Sequence, residues 1–172
     1  IKAHKYAESA HSDINQKRIY SGDPYIVHPE RVAYGVFLAG GNDNEIAAAF
    51  LHDVAEDTKK SLYDIMSEFG IIVAMIVAGV TKTTKRSDGN REERQKIELE
   101  NLSKSQSSSK KIKFEDIKDN IFDLHTDNPR FCATYFPEKL KQIEVLFEKK
   151  HISQYNETKA MLSERMRLLG LQ

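Results

Sequence analysis

Six apolar residues, Ile46-Ala47-Ala48-Ala49-Phe50-Leu51, run directly into His52-Asp53-Val54-Ala55-Glu56-Asp57. A helix that is apolar on every side belongs in the middle of a bundle. Continued as a helix, the second half sets His52 against Glu56 and Asp53 against Asp57 at i,i+4, so four ionisable side chains share a patch one turn deep. Burying that patch unpaired would cost several kcal/mol. Two resolutions are open: the helix end faces solvent and its carboxylates are hydrated, or a metal ion occupies the patch. Adjacent His and Asp supply one nitrogen and one oxygen, a mixture that suits Mn, Fe, Zn or similar ions, with the remaining ligands coming from elsewhere.

The rest of the chain repeats the helical period, as in Val32, Val36 and Phe37, or Leu62, Ile65, Met66 and Phe69. Alternating strand patterns are almost absent, which predicts an all-α bundle of about seven or eight helices. Pro29 and Pro137 stand where helices can begin, and Gly70 and Gly170 follow helical stretches as stops. Gly40-Gly41-Asn42-Asp43 ends one helix and offers an N-cap to the next. Residues 81–95 and the Ser- and Lys-rich stretch 103–111 read as mobile surface segments. Two closing helices are expected at Pro137–Lys150 and Ser153–Gly170. Their apolar residues, among them Leu140, Ile143 and Leu162, read as core or as a subunit interface, so a homo-oligomer is compatible with the pattern. A length of 172 residues suits one domain covering 1–172.

Twenty-six Lys and Arg balance 26 Asp and Glu. Net charge therefore draws the chain to neither a nucleic-acid backbone nor an anionic membrane, and phosphate binding would need a local cluster. No apolar run approaches the ~20 residues that cross a bilayer, and the opening Lys2, Ala3 and His4 do not resemble a signal peptide. With Cys132 as the lone cysteine, a reducing, cytoplasmic location is the expectation.

Two more segments offer ligands. His28 precedes Pro29 at a helix start, where a backbone-bonded histidine is the alternative reading. In 112–124, Asp116, Asn120 and Asp123 fall on one stripe at i, i+4 and i+7 beside Ile117, Ile121 and Leu124, a pattern any amphipathic surface helix also shows.

Taken in order, His28, His52-Asp53 and Asp116 resemble the H…HD…D arrangement of the HD superfamily of metal-dependent phosphohydrolases. The strings Arg18…Ser21-Gly22-Asp23-Pro24-Tyr25-Ile26-Val27-His28-Pro29, His52-Asp53-Val54-Ala55-Glu56-Asp57-Thr58, Phe69-Gly70, Gly79-Val80-Thr81-Lys82 and Lys113-Phe114-Glu115-Asp116…Asn120 are similar to the hydrolase domain of Rel/SpoT enzymes and small alarmone hydrolases. This motif-bearing part spans about 3–125. The chain departs from the family pattern at Ile19, at Glu115 and in the length of the His11 to Gly22 stretch.

The resemblance implies a compact HD-domain helical bundle in which His28, His52, Asp53 and Asp116 hold one divalent ion, Mn²⁺ by expectation. Glu56 and Asp57 would orient or deprotonate water. Arg18, Ser21, Tyr25, Asn120, Asp123 and Lys82 would contact the nucleotide. The implied reaction removes the 3′-pyrophosphate of guanosine tetra- or pentaphosphate, (p)ppGpp, to give GDP or GTP and pyrophosphate. The alternatives are an HD phosphohydrolase acting on a ppApp-type alarmone, NADPH or a nucleoside monophosphate, and a regulatory module that keeps the fold without the reaction. A nucleic-acid-binding role finds little support, because basic residues are matched by acidic ones and no aromatic stacking array is visible.

Overall fold

The capping residues explain where the central helices begin. In the computed structural model, which describes residues 2–124 and 128–171, Asn42 accepts from the backbone N–H groups of Asn44 and Glu45 at 3.0 and 3.1 Å, and Glu45 accepts from the Asn42 N–H at 2.9 Å. This reciprocal cap satisfies N–H groups that the first turn leaves without partners. It starts α3 (Asp43–Leu51), the apolar helix of the sequence reading. Before it come α1 (Lys2–Ser12) and α2 (Val27–Leu38). After it come α4 (Val54–Asp57), α5 (Leu62–Ala78), α6 (Arg91–Lys104), α7 (Ser107–Asp123), α8 (Pro129–Leu146) and α9 (Ile152–Leu168). The described residues pair as strand only in one isolated antiparallel bridge, Lys17 to Pro24. The fold is therefore all-α, and among the described residues it has nine α-helices where seven or eight were expected. One extra arises because the chain breaks at His52-Asp53, so α4 is a separate single turn.

Two apolar clusters form the interior. Ala3, Ala7 and Ala10 of α1, Val32 and Val36 of α2, Ala48 and Leu51 of α3, Ile65 and Val77 of α5 and Ile112 of α7 make the first. Phe114, Ile117 and Ile121 of α7 join Leu102, Cys132, Phe136, Ile143, Leu146 and Leu162 in the second. Helix α7 belongs to both, so it crosses the molecule and carries its polar stripe into the middle. Lys111 of α7 reaches Glu45 at 2.8 Å and fastens α7 to the start of α3. Gly70, at φ 84° and ψ 166°, interrupts α5 in a backbone region that favours glycine, in keeping with its reading as a stop.

Three expectations are corrected. Pro137 lies inside α8: that helix starts earlier, at Pro129, where Asn128 accepts from the Phe131 N–H at 3.1 Å and proline occupies the first turn. The stretch 103–111 is largely helical and partly interior. Ser109 is buried and donates to the Ile76 carbonyl at 2.8 Å, while Lys110 pairs with Glu148 at 3.1 Å, so local polarity marked partners for those groups and not solvent. The third concerns 81–95, which is largely surface-exposed as expected but held at several points: Glu98 accepts from the N–H groups of Thr83 and Thr84, Glu56 accepts from the Lys82 N–H, and Arg91 pairs with Glu138. No helix among the described residues is long and apolar enough to cross a membrane. Residue 125, where the motif-bearing span was expected to end, lies outside the described residues.

Candidate metal centre and active-site cleft

Helix ends deliver three of the four candidate donors. His28 lies in the first turn of α2, His52 closes α3, Asp53 opens α4, and Asp116 projects from the middle of α7. His28 Nε2 is 3.2 Å from His52 Nε2, 3.4 Å from Asp53 Oδ2 and 3.4 Å from Asp116 Oδ1. His52 Nε2 is 3.2 Å from Asp53 Oδ2 and 3.8 Å from Asp116 Oδ1. Both histidines are buried.

The tautomers decide what such a cluster can hold. His52 Nδ1 lies 2.8 Å from the Ala49 carbonyl and His28 Nδ1 lies 2.6 Å from Asp119 Oδ2; both partners only accept, so both Nδ1 atoms carry hydrogen. In the neutral rings each Nε2 then presents a lone pair. Two lone pairs 3.2 Å apart, with carboxylate oxygens alongside, repel unless positive charge lies between them. Donors at metal–ligand bonds of about 2.0–2.2 Å around one ion sit roughly 3.0–3.5 Å from one another, so this donor set fits one divalent cation. The electrostatics call for positive charge at the same place, which protons on the histidines supply when no cation is bound. Burial opposes charging of His52, yet Asp53 and then Asp116 push its pKa up to about 9, and His28 is raised well above its ordinary value against the same burial. Burial would raise Asp53 and Asp116, but His52 beside the first and Lys113 beside the second hold both well below the usual carboxylate range.

A further layer fixes these groups. The Tyr25 hydroxyl donates to Asp53 Oδ2 at 2.6 Å; Lys113 Nζ pairs with Asp116 Oδ2 at 2.6 Å, and the Asn120 amide donates to Asp116 Oδ1. Asp119, itself buried, bridges His28 to Arg31, whose Nε lies 2.6 Å from its Oδ1. Arg18 donates to Asp123 Oδ2 at 2.8 Å and to Asn120 Oδ1 at 3.2 Å. Carboxylate–histidine–metal chains of this type set ring orientation and ligand basicity.

Beside the cluster opens a cleft of about 910 Å³ whose wall includes Glu56, Lys82, Lys113, Tyr135 and Lys139. Glu56 accepts from the Lys82 N–H at 3.0 Å. It is exposed at the cleft mouth, yet crowding by the surrounding walls, followed by the Asp53 charge, raises its pKa. Asp57 points elsewhere and accepts from Gln16 Nε2 at 2.8 Å, while Gln16 in turn accepts from the buried His11 Nδ1 at 2.6 Å. The break at His52-Asp53 thus divides the expected single patch: His52 and Asp53 turn inward, Glu56 faces the cleft, and Asp57 is held against the chain before α2.

Of the nucleotide contacts expected from the sequence, Lys82 lines the cleft and Tyr25, Asn120, Asp123 and Arg18 surround the ligand cluster, bonded to one another or to ligands. Ser21 sits in the exposed turn and accepts from the Asp23 N–H at 3.3 Å. Two arginines of the 81–95 segment are also engaged: Arg91 forks onto Glu138 at 2.7 and 2.8 Å, and Arg94 donates to the Gly89 carbonyl. Sequence reasoning missed Lys113 and Asp119, whose signal was present as i−3 and i+3 neighbours of Asp116 on one helix. It also missed Lys139, which carried no local signal.

Two histidines and Asp53 gathered at helix ends, with Asp116 beside them from the middle of α7, define an HD-type metal-binding site inside an all-α bundle. A family model described as "HD domain" matches residues 3–111, and the chain belongs to that family. Guanosine-3′,5′-bis(diphosphate) 3′-pyrophosphohydrolase of Aquifex aeolicus is 39% identical over 84 residues, covering 49% of this chain and 12% of that protein. GTP pyrophosphokinase of Streptomyces coelicolor is 39% identical over 84 residues, covering 49% and 10%. The chain therefore spans only about a tenth of the length of these curated relatives. A solved structure described as a metazoan ortholog of SpoT that hydrolyzes ppGpp and plays a role in starvation responses matches with a TM-score of 0.79 at 28% identity, over 99% of this chain and 95% of that one.

Proposed function

We propose that the chain hydrolyses the 3′-pyrophosphate of guanosine tetra- and pentaphosphate to GDP or GTP and pyrophosphate, with one Mn²⁺ held by His28, His52, Asp53 and Asp116. The observation that carries the reading is the convergence of these four donors behind a wall of a 910 Å³ cleft, a wall that includes Glu56 and Lys113, the latter ion-paired with Asp116. The similarity to a ppGpp-hydrolysing ortholog of SpoT over almost the whole of both chains supports the substrate. When bound, the cation supplies Lewis acidity, polarising a phosphate oxygen and acidifying water.

The chain's own groups do the rest. Glu56, with a raised pKa and an open face toward the cleft, accepts the proton of the attacking water as the 3′-oxygen departs and takes up a proton. Asp57, anchored by Gln16, shapes the approach on the other side of that turn. Asn120 and Tyr25 keep Asp116 and Asp53 aimed inward. Arg18, bonded to Asp123 and Asn120, braces the wall against which the nucleoside lies, with Ser21 at its rim. Lys82 lends positive charge to the phosphates from the cleft wall. A cytoplasmic site of action fits a nucleotide substrate and a single free thiol.

The test is release of phosphate and pyrophosphate from ppGpp, pppGpp, ppApp and NADPH, with Mn²⁺ and with EDTA. Pyrophosphate from the guanosine alarmones, dependent on Mn²⁺, is expected. Release from ppApp or NADPH alone would reassign the substrate, and turnover of none would overturn the reading.

A further inference from the structure

The cations around the cleft differ in what already occupies them. Arg91 is taken by Glu138, Arg94 by the Gly89 carbonyl, Lys104 by Glu100 and Lys113 by Asp116, and Lys82 is exposed to solvent. Lys139, on α8 one residue after Glu138, is different. Its ammonium donates to the neutral Gln142 amide oxygen at 3.0 Å and lies 5.0 Å from the centre of the Tyr135 ring; no carboxylate among the described residues pairs with it. All three residues line the cleft. The charged groups that act on it are Lys113 and Asp116 from α7, Lys82 from the segment after α5, and Glu138 on its own helix. Burial, followed by the Lys113 charge, lowers its pKa to about 8.

A half-buried lysine without a counter-ion is costly in the free protein, and an anion entering the cleft offsets part of that cost. The ring beneath it and the amide beside it fix where the ammonium points. We infer that Lys139 is a phosphate-binding residue of this cleft, contacting an anionic phosphate group of the nucleotide beside the metal centre. The inference rests on the reading of the substrate as a phosphate-bearing nucleotide. It assigns to α8 a part in substrate binding that none of the expected contacts supplies.

The test titrates the Mn²⁺-loaded protein with inorganic pyrophosphate by calorimetry, comparing wild type, Lys139→Met and Lys139→Arg at pH 7 and pH 9. Lys139→Met should weaken binding by at least about tenfold, the size of a lost charge-assisted hydrogen bond, and raise KM for the nucleotide; Lys139→Arg should retain most of the affinity. Because a lysine with a lowered pKa loses its charge as pH rises, the advantage of wild type over Lys139→Met should shrink at pH 9, while that of Lys139→Arg persists. Should Lys139→Met fail to fold, Lys139→Gln carries the same comparison. Pyrophosphate affinity in the neutral variant within about twofold of wild type overturns the inference. Pyrophosphate binding that depends on Lys139 in a protein leaving ppGpp intact would sustain the inference and refute the proposed substrate.

Discussion

Replacing Asp119 with Ala should loosen the metal centre without touching a ligand. Asp119 accepts from His28 Nδ1 at 2.6 Å and ion-pairs with Arg31 at 2.6 Å and, more distantly, with Arg18 at 3.6 Å. Without it His28 loses the acceptor that fixes its tautomer, so Nε2 can carry hydrogen and turn from donor of a lone pair into a competitor for it. Outer carboxylates of this type contribute about 10–100-fold in metal affinity, or about 1.4–2.7 kcal/mol. Asp119→Asn keeps an acceptor oxygen while losing the charge, so its loss should be the smaller of the two. Titrating metal-depleted protein with Mn²⁺ and following free Mn²⁺ by electron paramagnetic resonance measures both. If Asp119→Ala bound Mn²⁺ as tightly as wild type while His28→Ala did not bind it, Asp119 would serve only to neutralise Arg18 and Arg31, and the positioning argument would fail.

Glu56→Gln should lower kcat by about 10²–10⁴-fold and remove the acidic limb of the kcat/KM profile. That limb should lie above the ordinary Glu range of about 4.3, because Glu56 acts as the carboxylate and its raised pKa means activity is lost as pH falls through that raised value; an unchanged profile in the variant would remove Glu56 from the mechanism. Gly35→Ala should destabilise the fold by about 1–3 kcal/mol, because the added Cβ meets the buried Glu115 carboxylate across α2 and α7. A thermal melt should show the midpoint falling by about 2–4 °C per kcal/mol, and no fall would mean that Glu115 can move aside.

The chemistry of the site was legible where residues were neighbours in sequence or one helical turn apart. His52-Asp53 stood out because ionisable groups followed six apolar ones, and Asp116, Asn120 and Asp123 because one helix places them on one face; the first two are bonded and the third holds Arg18. His28 needed the resemblance, since a histidine before proline has an ordinary local explanation. Contacts made across the fold were not legible. Asp119 faces His28 over 91 positions of chain, and Lys139 lines the cleft only because α8 returns past α7. Pro137 misled for a related reason: proline is permitted at a helix start, but the start was already fixed by Asn128 and Pro129 eight residues earlier. Glu115, a departure from the family pattern, is accommodated because position 35 is glycine and because Gln154 and Lys118 reach its carboxylate.

The most direct test adds Mn²⁺ back to metal-depleted protein in steps while pyrophosphate release from ppGpp is recorded. The account predicts no release in EDTA, then a rise that levels off when one Mn²⁺ is bound per chain. Release that persists in EDTA, or a fully loaded protein that leaves ppGpp intact, would contradict it.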